Sequence, residues 1–455
     1  MKSLDAKLND IHSNPSSSKS FIIADAKDAD MAFGIKATGP RGYLAGSGEI
    51  PAHFSPEIWT REEFGYRNLP EYLEIIREII AQRTIDIMLM SASVNERLTI
   101  QEGLFRNSPI TPAARANDTS DVWAIRHGNY LREPAQPFRS ASIDAIQCGQ
   151  VECDRSPGAN DFPGANLGLY SVTFLNELEQ DRKTLLAFKE FREEAERKKF
   201  RYFLEVFDPN VDSGIPPEKL GEFINDNIIR TLAGVTDAGR PIFLKIVYHG
   251  PRLMEELVQY DPHLIVGILG GSAGTTHDAF KLIHDAQKHG ARVALFGRKI
   301  NNAEHQLAFI EILRLITDHL ISPEEAVRAY HGILQAKGIR PRRSLQEDLL
   351  ITEPSLIQAD PRKKTISISS STSVPVHAVY ADRPILASSP VPATPASEAA
   401  IQKSDLTTES VKPDTHPGLC SPLWPVKPDL SPDFSRMTSD QRLSYNLWRL
   451  NKKFR

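Results

Sequence analysis

Cysteine is scarce: 3 residues in 455, at Cys148, Cys153 and Cys420. An odd, sparse set without metal-ligand spacing argues against a disulfide framework and suits a reducing compartment. Long apolar runs are also missing. None approaches the roughly 18 residues that cross a bilayer. The opening stretch MKSLDAKLNDIHSNPSSSKS carries no apolar signal core. A cytoplasmic location is expected. Neither charge sign dominates. Lys and Arg number 54 against 58 Asp and Glu, a net charge of -4, which gives no electrostatic ground for binding nucleic acid or a membrane surface. Familiar site motifs are lacking too. There is no H-x-x-H, H-E-x-x-H or C-x-x-C pair, and GGSAGTTHD lacks the Walker lysine. His277 and His284 lie roughly 10 Å apart along a helix, too far for one ion, and both read as solvated helix positions. No metal and no cofactor are expected.

What is present is a globular core. Hydrophobic residues make up 40% and charged residues 25%, enough apolar mass for a sizeable soluble domain. Composition changes near residue 340. Beyond it, SISSSTSVPV, ILASSPVPATPASEAA and HPGLCSPLWPVKPDLSPDF are rich in Pro and Ser and too poor in apolar residues to offset ordering entropy. The expected organisation is a flexible N-terminus (1–20), a catalytic domain (21–340), a disordered linker (341–435) and a short basic amphipathic helix (436–455). In that helix Leu443, Leu447, Leu450 and Phe454 share one face, and Thr438 or Ser439 could cap it. It reads either as a docking helix on a tether or as a frayed end.

Eight short apolar runs divide residues 21–297: FIIADA (21–26), IDIMLM (85–90), DVWAIRH (121–127), LYSVTFL (169–175), YFLEVF (202–207), IFLKIVY (242–248), LIVGILG (264–270) and RVALFG (292–297). Near-continuous apolar runs suit parallel strands covered on both faces. Amphipathic helical stretches separate many of them. Strand-helix alternation to a count of eight predicts an α/β fold, a (β/α)8 TIM barrel with long loop insertions at 36–68 and 128–166. The segment 140–153 could add a hairpin within the second insertion. An open doubly wound sheet is the alternative.

Chemistry in such a barrel sits at the C-terminal strand ends. Lys245, within PIFLKIVYHG, is the sharpest candidate. If it points inward, Phe243 and Val247 share its side. Desolvation there favours the neutral amine, the form that attacks a carbonyl to make a Schiff base. Glu205, in the neighbouring run RYFLEVFDPN, is either a proton shuttle or the counter-ion of Lys245. Asp25, Asp28 and Asp30 follow the first run and supply candidates for acid-base work. Arg126 and His127 close the third run and could bind phosphate or polarise a carbonyl. Two glycine loops end the last two runs. Gly270, Gly271 and Gly274 allow close approach to an anion. Ser272, Thr275 and Thr276 add hydroxyls, and Gly297 with Arg298 closes the other side.

Together, FLKIVYHG, FLEVFD, GGSAGT and FGRKIN resemble the class I, Schiff-base aldolases of the (β/α)8 type: fructose-bisphosphate, tagatose-bisphosphate and deoxyribose-phosphate aldolases. The resemblance spans roughly residues 20–337. It implies a metal-independent carbon–carbon lyase of carbohydrate metabolism. Lys245 would form the imine with a sugar phosphate, and Gly270, Gly271, Gly297 and Arg298 would hold the phosphate. It also implies help from an aspartate near the first strand, Asp25, Asp28 or Asp30. The sequence departs from that family in its large insertions, longer seventh loop and extended tail. Two alternatives stay open: a non-catalytic sugar-phosphate scaffold whose terminal helix docks a protein partner, and a barrel isomerase or epimerase working without an imine. The expected partners are a small phosphorylated sugar, a second copy of the chain in a homo-oligomer, and a protein at the C-terminal helix.

Overall fold

A computed structural model describes residues 1–41, 65–153, 162–271, 274–357, 424–427 and 431–453. Eight parallel strands form its centre: β1 (Ile22–Lys27), β2 (Ile87–Met90), β3 (Thr111–Arg115), β4 (Leu167–Thr173), β5 (Arg201–Phe207), β6 (Leu244–Ile246), β7 (Val266–Leu269) and β8 (Val293–Phe296). Each pairs with its neighbour in sequence, and β8 returns to β1 with Ile22 opposite Val293 and Asp25 opposite Phe296. The sheet is therefore a closed barrel, the expected (β/α)8 architecture, and the open sheet is excluded.

Alternation sorts the side chains into two layers. Ile22, Ala24, Leu89, Leu169, Phe203, Phe243 and Leu295 fill the barrel interior. Ile23, Met88, Tyr170, Leu204, Leu244 and Phe296 face the surrounding helices. Phe203 and Phe243 stack across β5 and β6 with ring centroids 4.6 Å apart.

Four local expectations are corrected. The third strand is Thr111–Arg115, whereas the expected run at 121–127 begins inside the 3-10 turn Ser120–Val122 and continues as an exposed loop. The sequence TPAAR hides its strand because Pro and Ala are poor strand formers; pairing to Ile87–Met90 decides it. Within the second insertion, Ile143–Cys148 is a helix capped by Ser142, not a hairpin arm. Cys148 is disulfide-bonded to Cys153, so the sparse cysteines do form one bridge. The N-terminus is not flexible throughout. Ser3–Ser13 is a helix whose Leu4, Leu8 and Ile11 join the interior cluster and plug the N-terminal end of the barrel.

The C-terminal part also differs from expectation. Short helices at Leu345–Asp348 and Pro354–Ile357 lie on the barrel, with Leu356 fully buried. The helix Ser439–Lys453 packs Leu443, Leu447 and Leu450 onto this chain's own core. Most of the expected disordered linker falls outside the described residues.

Candidate active site

Lys245 takes the interior side of β6, as Phe243 does two residues earlier. Register places it between Glu205 on β5 and Gly267 on β7. A glycine there matters, because a Cβ at 267 would sit 2.7 Å from Val293 and 2.8 Å from the Leu244 carbonyl. The Lys245 ammonium pairs directly with the Glu205 carboxylate, and both residues are buried. Glu205 also accepts from Ser171 Oγ on β4 at 2.8 Å. Asn117 fixes Ser171 through its backbone: Nδ2 donates to the Ser171 carbonyl at 2.8 Å, and Oδ1 accepts from the Ser171 amide at 2.6 Å.

The array continues around the barrel. Arg115, at the end of β3, donates from Nη1 to Ser171 Oγ at 3.4 Å and from Nε to Asp28. Asp118 lies 4.0 Å from the same Nε. Asp30 accepts from Ser91 Oγ at 2.7 Å, while its other oxygen is buried without a hydrogen-bond partner. Burial pushes the carboxyls of Asp30 and Asp118 up to about 6. Lys245, Glu205, Ser171, Arg115 and Asp28 thus form one continuous polar chain drawn from five strands or strand ends. Arg115 and Ser171 escaped the sequence reading. Arg115 sits in the missed strand, and Ser171 shows only as a lone polar residue at an interior-facing position of LYSVTFL.

Above this layer lies an apolar one. Phe207 and Leu269 follow Glu205 and Gly267 by two residues and so share their face. They pack with Ala32, Phe33 and Val122 into a separate cluster at the C-terminal end of the barrel. The Arg298 guanidinium lies 5.5 Å from the Phe33 ring centre.

The other expected residues fall in different places. Asp25 is on the helix-facing side of β1 with Ile23. Its two oxygens accept from Lys27 Nζ at 2.8 and 2.7 Å, and both residues are fully buried. Burial raises the Asp25 pKa and lowers that of Lys27, each opposed by the partner's charge. Asp28, not Asp25, reaches the chain of groups leading to Lys245. Arg126 and His127 are exposed in the loop after the 3-10 turn, and no strand carries them to the mouth.

Gly270, Gly271, Gly297 and Arg298 do lie at the ends of β7 and β8. Gly270 packs under Phe296, where a Cβ would approach the ring to 2.2 Å, and Gly271 has φ +54°. Lys299 joins the two loops by donating to the Gly274 carbonyl at 2.8 Å, and burial lowers its pKa to about 8. Ser272 lies outside the described residues. Thr275 and Thr276 are already engaged. Thr275 caps the helix Thr276–Lys288 and donates from Oγ1 to the Leu350 carbonyl at 2.6 Å. The Thr276 amide donates to Asp348 at 2.7 Å. A carboxylate of this chain therefore occupies that helix N-terminus. His277 is not solvated; it is buried, with Nδ1 2.7 Å from the Leu349 carbonyl and Nε2 3.5 Å from Glu324.

Among the described residues, no group of three or more His, Cys, Asp and Glu side chains is arranged to hold a metal ion, and no helix is long and apolar enough to cross a membrane.

The class that fold and site define is an eight-stranded parallel barrel with a buried lysine–carboxylate pair at the C-terminal end of its interior. Solved structures similar to it include an archaeal fructose-1,6-bisphosphate aldolase with its catalytic lysine covalently bound to the carbinolamine intermediate of the substrate (14% identity, covering 68% of this chain and 99% of that one, TM-score 0.46). Another is a fructose-bisphosphate aldolase from Slackia heliotrinireducens (13%, 72% and 91%, TM-score 0.47). A Corynebacterium glutamicum protein is a third (13%, 67% and 87%, TM-score 0.44). No family model and no curated protein matches the chain. The likeness is one of barrel architecture, and the fold stands on the strand pairing described above.

Proposed function

We propose that the chain is a class I aldolase-like lyase that makes or breaks a carbon–carbon bond in a phosphorylated sugar. The observation that carries the reading is Lys245, buried inside the barrel in the middle of β6 with Glu205 against its ammonium. The carboxylate that holds the ammonium is also the base positioned to take its proton. The freed amine adds to the sugar carbonyl, and the resulting carbinolamine loses water to give an iminium. That cation then accepts the electron pair of the breaking C–C bond. Asp28 and Asp30, just after β1, are our candidates for proton transfer beside this array, Asp28 through Arg115 and Asp30 through Ser91. Gly270, Gly271, Gly297 and Arg298 are assigned to the substrate phosphate, with Lys299 setting the distance between the two loops.

Borohydride reduction in the presence of a panel of sugar phosphates tests this. Lys245 is expected to carry the reduced adduct, and Lys245→Arg to lose turnover by on the order of 10^4-fold. A Lys245 unlabelled across the whole panel sinks the imine. One observation favours a second reading: the apolar cluster of Ala32, Phe33, Val122, Phe207 and Leu269 covers the mouth. On that reading the barrel binds a sugar phosphate without turning it over, and the same panel raises the melting temperature while leaving Lys245 unmodified.

A further inference from the structure

A segment just past the barrel fastens itself to the loop after β7, and one exposed serine begins it. The sequence there is Arg340-Pro341-Arg342-Arg343-Ser344. Arg340, Arg342, Arg343 and Ser344 are all exposed around an open recess that Glu347 also lines. Ser344 caps the helix Leu345–Asp348 in a capping box. Its Oγ donates to Glu347 Oε2 at 2.8 Å, and the Ser344 amide donates to the same oxygen at 2.9 Å. The Glu347 amide donates back to Ser344 Oγ at 3.3 Å.

Asp348 ends this helix and does the fastening. Oδ1 accepts from the Thr276 amide, and Oδ2 lies 2.9 Å from His331 Nε2. Leu349 and Leu350 offer their carbonyls to His277 and Thr275. Asp278 accepts from the Thr352 amide at 2.8 Å and from Thr352 Oγ1 at 2.6 Å. The start of the helix after β7 is therefore held from outside by residues 348–352, whose entry is set by one four-residue helix and its cap.

We propose that Ser344 is a phosphorylation site for a serine kinase that selects arginine on the N-terminal side of its target, and that the phosphate unfastens residues 345–353 from the β7 loop. In the transfer, Ser344 Oγ attacks the γ-phosphorus of a nucleoside triphosphate. The bond to the bridging oxygen breaks, nucleoside diphosphate leaves, and the hydroxyl proton passes to the kinase's base. No oxidation state changes. The product brings a charge of about −1.5 to −2 against Glu347 and removes the donor that Glu347 accepted. The arginines then turn to the phosphate. The like charges drive the Glu347 carboxylate off the Ser344 amide and open the capping box; without it a four-residue helix has too few internal hydrogen bonds to persist, and Asp348 leaves Thr276. The inference rests on none of the proposed chemistry, and its readouts need no substrate.

The full chain is incubated with ATP and a basophilic serine kinase, with the free peptide 338–350 as the control. The phosphate is mapped by mass spectrometry, and hydrogen exchange is followed in peptides 274–280 and 345–353. The expected result is phosphate on Ser344 and exchange about fivefold faster in both peptides, the effect of opening one capping box. The double variant Arg342→Ala/Arg343→Ala should take up phosphate at Ser344 at least about tenfold more slowly, as expected when a charged recognition pair is lost. Three results overturn the proposal: a Ser344 left unmodified while the control peptide is phosphorylated, a phosphorylated Ser344 with unchanged exchange at 274–280, or a double variant modified as fast as the native chain.

Discussion

Lys245 and Lys27 are each set in an apolar strand and each paired with a carboxylate, yet they have different prospects. Lys245 faces the barrel interior near its mouth. Lys27 faces the helices, locked to Asp25 beneath Tyr72, whose hydroxyl donates to the Lys27 carbonyl at 2.8 Å. Removing one member of a fully buried pair strands the other charge. Lys27→Met is therefore expected to cost about 3–5 kcal/mol in urea unfolding, and Lys27→Met/Asp25→Leu to recover most of that. Glu205→Gln should leave the fold intact and slow imine trapping at Lys245 by on the order of 10^2-fold, since the proton acceptor is gone. Asp118 makes a pH prediction. Its folded pKa, about 6, lies above the ordinary 3.8, so the native state binds the proton more tightly than the unfolded chain. That contribution is complete below about pH 4 and is lost as pH rises through about 6. Asp118→Asn should then stabilise the protein by roughly 1–3 kcal/mol at pH 8 and hardly at all near pH 4. At this scale the sequence shows that Asp25 and Lys27 share a face, because side chains alternate. It does not show which face, because β1 is apolar on both sides.

Among the elements, seven of the eight strands announce themselves as β-branched or aromatic runs. The eighth, TPAAR, has no such signal, and it carries Arg115 into the site. Tertiary pairing overrides propensity there, and a stronger run at 121–127 drew the assignment away. The helix Ser439–Lys453 was legible as amphipathic, but its amphipathy does not say whose surface it covers. Gly332 answers that, because a Cβ there would come within 2.7 Å of Leu447. Gly332→Leu should raise local helix propensity by about 0.8 kcal/mol and still evict Leu447, so that trypsin cuts at Arg449 and Lys452 faster than in the native protein. The fastened segment 348–353 has its own pH window. The His277 contact holds the Glu324 carboxyl down to about 2, a contribution lost as pH falls below the ordinary glutamate range. Burial opposes a charged His277, but Glu324 and the Leu349 carbonyl outweigh it and raise its pKa. That contribution is lost as pH rises past the raised value. Hydrogen-exchange protection of 274–280 is therefore expected to peak at mildly acidic pH and decline on both sides.

For the whole molecule, strand-helix alternation pointed to a barrel ahead of an open sheet, although one of the eight counted runs is not a strand; closure itself rests on the pairing of β8 with β1, which no run announces. The floor of the barrel was not legible. MKSLDAKLNDIHS is polar on average, and Leu4, Leu8 and Ile11 look sparse until they meet Ile22, Ile87 and Val293. Leu8→Ala should cost about 2–4 kcal/mol. The plug also has a consequence for synthesis. The helix Ser3–Ser13 is synthesised before any of the strands, but its seat includes Val293 and Leu295 of the last strand, and β1 cannot close the ring before β8 exists. Residues made ahead of the whole barrel are among the last to find their place. Throughout elongation they remain an apolar stripe without a surface to cover, one for a chaperone to shield.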